Sequence, residues 1–267
     1  MAMTNSLKPA AVLDDSPYSI FPIARSLRTF GGVDVEHYFS IPAFERTAGI
    51  TNEPNQQQQR IESCAMALRQ YSVVVCDNNF EDHVDPKHPY DGWTRGIDFL
   101  ISTVGPALEL IPPKERPLVV CYAPSNRETI LHNREALEQM GIIAFMKTEE
   151  AGSVGIYTAV VREYGYAPSY YEFVHDILGF ELDEMEWKER GQSFIFDLAT
   201  KYIYSRSMFP DEDREVVAGP AKPIEWSILQ AEIEENLGLK EGEFGRRIES
   251  VIQNHGQEGG TSLAFRK

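Results

Sequence analysis

Short runs in the first 150 residues that are apolar at every position include AAVL at 10–13, VVVC at 73–76, LVVC at 118–121 and IIAF at 142–145. Successive residues of a strand face opposite sides of a sheet, so a strand with one wet face must alternate polar and apolar. A run with no alternation is buried on both faces, which happens where helices cover a parallel sheet on both sides. The intervening segments supply those helices. Apolar residues recur at helical spacing over 17–30, 56–70, 93–110, 127–140 and 153–165, and the less apolar VDVEHYF at 33–39 completes a set of strands at 10–14, 33–39, 71–77, 117–123 and 142–147. Residues 40–54 are polar and contain proline, and are expected to form a long loop. Strands alternating with helices in this way predict an α/β domain built on a doubly wound five-stranded parallel sheet.

In such sheets chemistry collects at the carboxyl ends of the strands. Strand one ends on Asp14 and Asp15, strand three on Asp77 and strand five on Lys147. Carboxylates gathered on one edge repel one another unless a cation sits among them, and an all-oxygen set suits Mg2+. A lysine nearby adds positive charge for an arriving anion. The set predicts a site where one carboxylate attacks a phosphoryl group while Mg2+ and the ammonium neutralise the developing charge. The plainer alternative treats Asp14 and Asp15 as a helix cap and a first-turn acid, Asp77 as a turn residue and Lys147 as a surface lysine. It explains each residue alone better than it explains their joint placement.

The junction AVLDDSP followed by a helix, the run VVVCD, the PYDG before the third helix, PLVVCYA and IIAFMK, in this order, resemble the receiver domain of two-component response regulators. The resemblance covers roughly residues 9–165. It implies a flavodoxin-like sheet of order 2-1-3-4-5, with Asp14 and Asp15 as the acidic pair that holds Mg2+ and Asp77 as the phosphoacceptor. It further implies that the backbone carbonyl of Asn79 completes the metal site and that Lys147 bonds the phosphoryl group. For the strand-four hydroxyl, direct alignment gives Tyr122 and counting back from Lys147 gives Ser125. A sensor histidine kinase or a phosphotransfer protein is the implied donor. The chain departs from the family in a longer loop after Asp77, before Asp91 and Gly92, in Thr148 where proline usually follows the lysine, and in Phe145, one place closer to the lysine than the usual aromatic.

The long loop contains His83, Asp85, His88 and Asp91, whose spacing matches no zinc pattern, so it is read as a solvated loop beside the site. The chain carries three cysteines, Cys64, Cys76 and Cys121, without CxxC spacing, which suggests reduced core thiols. The N-terminal MAMTNSLKP lacks a signal pattern, and no apolar stretch reaches the ~20 residues that span a bilayer, so a cytoplasmic protein without a membrane partner is expected. The net charge of −16 opposes extended contact with nucleic-acid phosphates.

Beyond 165 no enzyme motif is found. Residues 166–208 read as a helical extension, 209–223 as a linker, 224–254 as a helical hairpin and 255–267 as a mobile tail. Within the extension, His175 is read as a structural residue rather than a phosphoacceptor. The hairpin is weakly similar to a helix-turn-helix and would offer Arg246 and Arg247 to DNA, against a local crowd of glutamates. The expected protein is therefore a non-enzymatic response regulator whose helical output binds a protein partner or controls dimerisation. The alternatives are a DNA-binding transcriptional regulator acting through 224–252 and a pseudo-receiver scaffold that is not phosphorylated.

Overall fold

The computed structural model describes residues 8–50, 56–78, 80, 95–123, 127–146, 150–181, 190–203 and 223–255. The five predicted strands form β1 (Ala10–Leu13), β2 (Val35–Tyr38), β3 (Val73–Asp77), β4 (Leu118–Ala123) and β5 (Ile142–Met146). They make one sheet of order β2-β1-β3-β4-β5, every pair parallel. This is the flavodoxin-like α/β arrangement. The reversal of order between β1 and β3 puts the topological switch point at their carboxyl ends, where α/β sheets present ligands. The continuous apolar runs behave as their pattern requires: every residue of β1 and β3 is buried. β2 lies at an edge, and its Glu36 and His37 are exposed.

The helices α1 (Pro17–Ser26), α3 (Gln57–Leu68), α6 (Arg127–Gln139) and α7 (Glu150–Tyr164) lie where the spacing places them. The helix expected at 93–110 is broken into α4 (Arg95–Phe99), a π-helical segment (Leu100–Val104) and α5 (Gly105–Glu109). α1 likewise runs on into a π turn, Leu27–Gly31, that stops at Gly32 in the left-handed conformation.

The loop expected over 40–54 is a correction. Residues Ile41–Ala48 form a helix, α2. Ser40 caps it, its hydroxyl oxygen accepting the Ala43 N–H at 3.2 Å, and Pro42 sits in the first turn, where it gives up no hydrogen bond. Gly49 (φ 70°) ends it in the left-handed conformation, and Phe44, fully buried, anchors it to the core beside Tyr38. Of the polar residues that suggest a loop, Arg46 and Thr47 are exposed on its outer side, whereas Glu45 is buried and paired with Arg60 of α3.

The chain falls into two compact units: one is built on Val33–Lys147 and takes in the chain up to Ile20, the other on Thr148–Thr261 together with Phe21–Gly32. The first holds the sheet. In the second, α7 packs on the π turn Leu27–Gly31 and on α8 (Gln192–Tyr202), and Arg162 Nη1 donates to the Gly31 carbonyl at 2.6 Å. A π-helical segment at Glu172–Ile177 and the hairpin of α9 (Trp226–Leu237) and α10 (Glu243–His255) complete its described part. Of the linker expected at 209–223 all but Pro223 lies outside the described residues, as does the tail expected at 255–267 except His255, which ends α10.

Candidate metal centre

β1 and β3 are neighbours in register, Leu13 opposite Cys76. The next residue on each strand is therefore an aspartate beside an aspartate, Asp14 and Asp77. Asp15 follows on the loop into α1. The three side chains each bring an oxygen within 4.8 Å of the others. Asp14 and Asp77 are almost wholly buried, at 1% and 2% exposure, and Asp15 is half-buried. At an effective dielectric of about 20, two unit charges that far apart repel by about 3 kcal/mol.

The local fold explains how such a cluster is built. The Asp14 N–H bonds the Tyr38 carbonyl at 3.1 Å, which holds the end of β1 against β2. Asp14 Oδ1 accepts the Ser16 N–H at 2.8 Å. The Ser16 carbonyl in turn takes the first helical hydrogen bond, from the Ile20 N–H at 3.1 Å. Ser16 thus precedes α1 as the residue whose carbonyl takes its first hydrogen bond, and Asp14 steadies the Ser16 N–H through one oxygen.

Every donor in the cluster is a carboxylate oxygen, the set that a hard divalent cation such as Mg2+ takes. The nearest thiol does not compete. Burial, helped by Cys121, Asp77 and Asp14, pushes the Cys76 thiol well above its ordinary range, and its Sγ–H donates to the Asp77 carbonyl at 3.2 Å. Cys121 is pushed up to about 12, again chiefly by burial and then by Asp77. Both stay as neutral thiols beneath the acidic edge, as expected of core cysteines.

Across the sheet, Tyr122 stands opposite Asp77, and Phe145 opposite Tyr122. Register partners in a parallel sheet share a face, so Asp77, Tyr122 and Phe145 form one row, with Tyr122 at 4% exposure and Phe145 fully buried. Asn79, Ser125 and Lys147 lie outside the described residues, as do His83, Asp85, His88 and Asp91.

Two residues that the sequence reading passes over belong to this edge. Asn78 is 1% exposed, and its Oδ1 meets no hydrogen-bond partner among the described residues. Gly96, in α4, donates its N–H to the Asn78 carbonyl at 3.3 Å. A Cβ at this position would stand 1.8 Å from the Asp77 carbonyl oxygen and 2.6 Å from Asn78 Cα. Its trace in the sequence is one of position alone, a glycine near the start of the helix that follows strand three.

In the second unit, His175 Nδ1 lies 2.8 Å from Asp176 Oδ1, and its ring stacks on Tyr171. Arg246 is exposed and reaches the Glu241 carbonyl at 3.4 Å. Arg247 is half-buried, pairs with Glu243 at 3.0 Å and donates to the Ile177 carbonyl at 3.5 Å. Its guanidinium thus ties α10 to the π-helical segment Glu172–Ile177.

Comparison of the chain with protein-family models, with curated proteins and with solved structures gives no match. Among the described residues, no helix is long and apolar enough to cross a membrane.

Proposed function

We propose that this protein is a response regulator that accepts a phosphoryl group on Asp77 in a Mg2+-dependent reaction. The observation that carries the reading is the meeting of Asp14, Asp15 and Asp77 at the carboxyl edge of a sheet of order β2-β1-β3-β4-β5. Asp14, Asp15 and Asp77 would hold the ion, together with the Asn79 carbonyl. When bound, Mg2+ supplies charge neutralisation for the incoming phosphoryl oxygens. Asp77 is the nucleophile. One of its oxygens forms the new P–O bond as the P–N bond of a phosphohistidine donor breaks and the imidazole leaves. Asp14 holds its orientation through the Ser16 N–H, so the cluster is set before the donor arrives. Lys147 and a hydroxyl, Ser125 or Tyr122, would bond the acquired group. The donor is a sensor histidine kinase or a phosphotransfer protein in the cytoplasm. The output is carried without catalysis by the second unit, through a protein partner or through dimerisation.

A pseudo-receiver scaffold is favoured by one observation: the bulky Tyr122 fills the row beside Asp77. The two readings separate in one experiment. The full chain is incubated with Mg2+ and acetyl phosphate, and the intact mass is read. A gain of one phosphoryl group that is lost in Asp77→Asn is the expected result. A folded chain that binds Mg2+ but gains nothing makes the scaffold reading the correct one.

A further inference from the structure

The contact at Gly96 joins the acidic edge to residues 95–109, a stretch that is helical throughout but irregular in the middle. At its start, the N–H of Gly96 bonds the Asn78 carbonyl, and its Cα lies so close to the Asp77–Asn78 peptide that no side chain fits. The next turns form the π segment Leu100–Val104, closed by a bond from the Gly105 N–H to the Leu100 carbonyl. A π turn spends one residue more per turn than an α-helix, and it recurs at sites where a helix changes register. The Ser102 carbonyl within it is held from outside, by Gln57 Nε2 of α3 at 2.8 Å. At the far side, Gly105 is pressed on Met140, where a Cβ would come within 2.3 Å of Sδ. The helix is thus gripped by the site at one glycine and by the C-terminal end of α6 at another, with a register defect between them.

The row of Asp77, Tyr122 and Phe145 is a poorer conduit. Tyr122 and Phe145 are packed side by side in the sheet, at 4% exposure and none, and can swing only by opening the core.

We infer that Gly96 positions Asp77, and that occupancy of the carboxylate cluster is reported through Gly96 to the π segment Leu100–Val104 and from there to α3 and the Met140 end of α6. The inference rests on the phosphoryl-accepting reading of the cluster. An ion or phosphoryl group drawn between the carboxylates pulls on the Asp77–Asn78 peptide, and the peptide bears directly on the first turn of α4. On this inference the segment passes between its present hydrogen bonding, closed from Gly105 to Leu100, and α-helical bonding when its first turn is displaced.

The test uses the full chain and hydrogen–deuterium exchange with Mg2+ alone and with Mg2+ plus acetyl phosphate. Amides within 95–109 are expected to exchange about tenfold more slowly when the site is filled, and not to respond in Asp77→Asn. Coupling is reciprocal, so loosening the helix must act back on the site. Gln57→Ala releases the Ser102 carbonyl and touches no carboxylate, and it is expected to change the Mg2+ dissociation constant by about fivefold, with its fold checked by circular dichroism. Mg2+ binding with exchange over 95–109 unchanged overturns the coupling and leaves the site reading intact, as does an unaltered affinity in a folded Gln57→Ala. No Mg2+ binding and no phosphorylation overturn the site reading and the coupling together.

Discussion

Asp77 is placed where its charge costs the fold most and the proposed chemistry gains most. It is buried, and two further carboxylates approach it within 4.8 Å. A residue that serves binding at the expense of stability has a recognisable signature: removing its charge strengthens the apo fold. Asp77→Asn keeps the shape and deletes the repulsion. In the presence of a chelator it is therefore expected to be more stable than the wild type by about 1–2 kcal/mol, a fraction of the pairwise repulsion left after solvent screening. With millimolar Mg2+ the order should reverse, because the variant gains little from the ion. Thermal unfolding of both proteins in chelator and in Mg2+ measures this directly. An apo variant less stable than the wild type would mean that Asp77 is held by structural bonds rather than tolerated for a ligand. The neighbouring thiols follow the same electrostatics from the other side: burial raises Cys76 and Cys121, so the carboxylates see no additional negative charge from below.

At the scale of elements, the hairpin of α9 and α10 shows how a carboxylate can hold two helices in a fixed turn. Glu234, near the end of α9, is 6% exposed, and its two oxygens accept the N–H groups of Gly242 at 2.9 Å and Phe244 at 3.0 Å. These donors open α10 and have no partner within that helix. Burial pushes the Glu234 pKa up, but the Gln230 amide, the two backbone N–H groups and Arg246 outweigh it and hold the carboxyl below its ordinary value. A carboxyl depressed in the folded state stabilises the fold fully above its unfolded pKa, near 4.5, and loses that contribution as the pH falls through the folded value. Glu234→Ala should cost about 1.5–3 kcal/mol at pH 7, the usual range for hydrogen bonds to a charged group. The difference from wild type should shrink as the pH drops below 4.5. Denaturant unfolding of the two proteins across pH 3–7 tests both the size and the direction. The elements also mark what could be read beforehand. The strands were legible because burial on both faces leaves no room for alternation, and a five-residue run such as Val73–Asp77 cannot be misread as amphipathic. The helix α2 was not, because its polar outer face and Pro42 mimic a loop. Only the Ser40 cap and the Gly49 stop distinguish it, and both are single residues. The carboxylate cluster was legible because its three members end strands or follow them directly. Gly96 was not, because a close backbone approach leaves no trace in composition.

The whole molecule carries a net charge of −16, so its compact state is opposed by its own field. Any salt relieves this, and Mg2+ relieves it twice if the acidic edge binds the ion. The two contributions differ in form. Screening depends on ionic strength and is gradual, since the Debye length falls from ~30 Å at 0.01 M to ~8 Å at 0.15 M. Site binding saturates, and it adds RT ln(1 + [L]/Kd), about 2.7 kcal/mol when the ion is at a hundred times its dissociation constant. Raising NaCl from 0.01 to 0.15 M should therefore raise the melting temperature of wild type and Asp77→Asn alike. Exchanging part of that NaCl for MgCl2 at constant ionic strength should raise the wild type alone, along a curve that levels off. Scanning calorimetry over a Mg2+ series at fixed ionic strength separates the two. A Mg2+ response shared equally by Asp77→Asn would assign the whole effect to the general acidity of the chain, and the meeting of Asp14, Asp15 and Asp77 would then be one acidic patch among many rather than a metal centre.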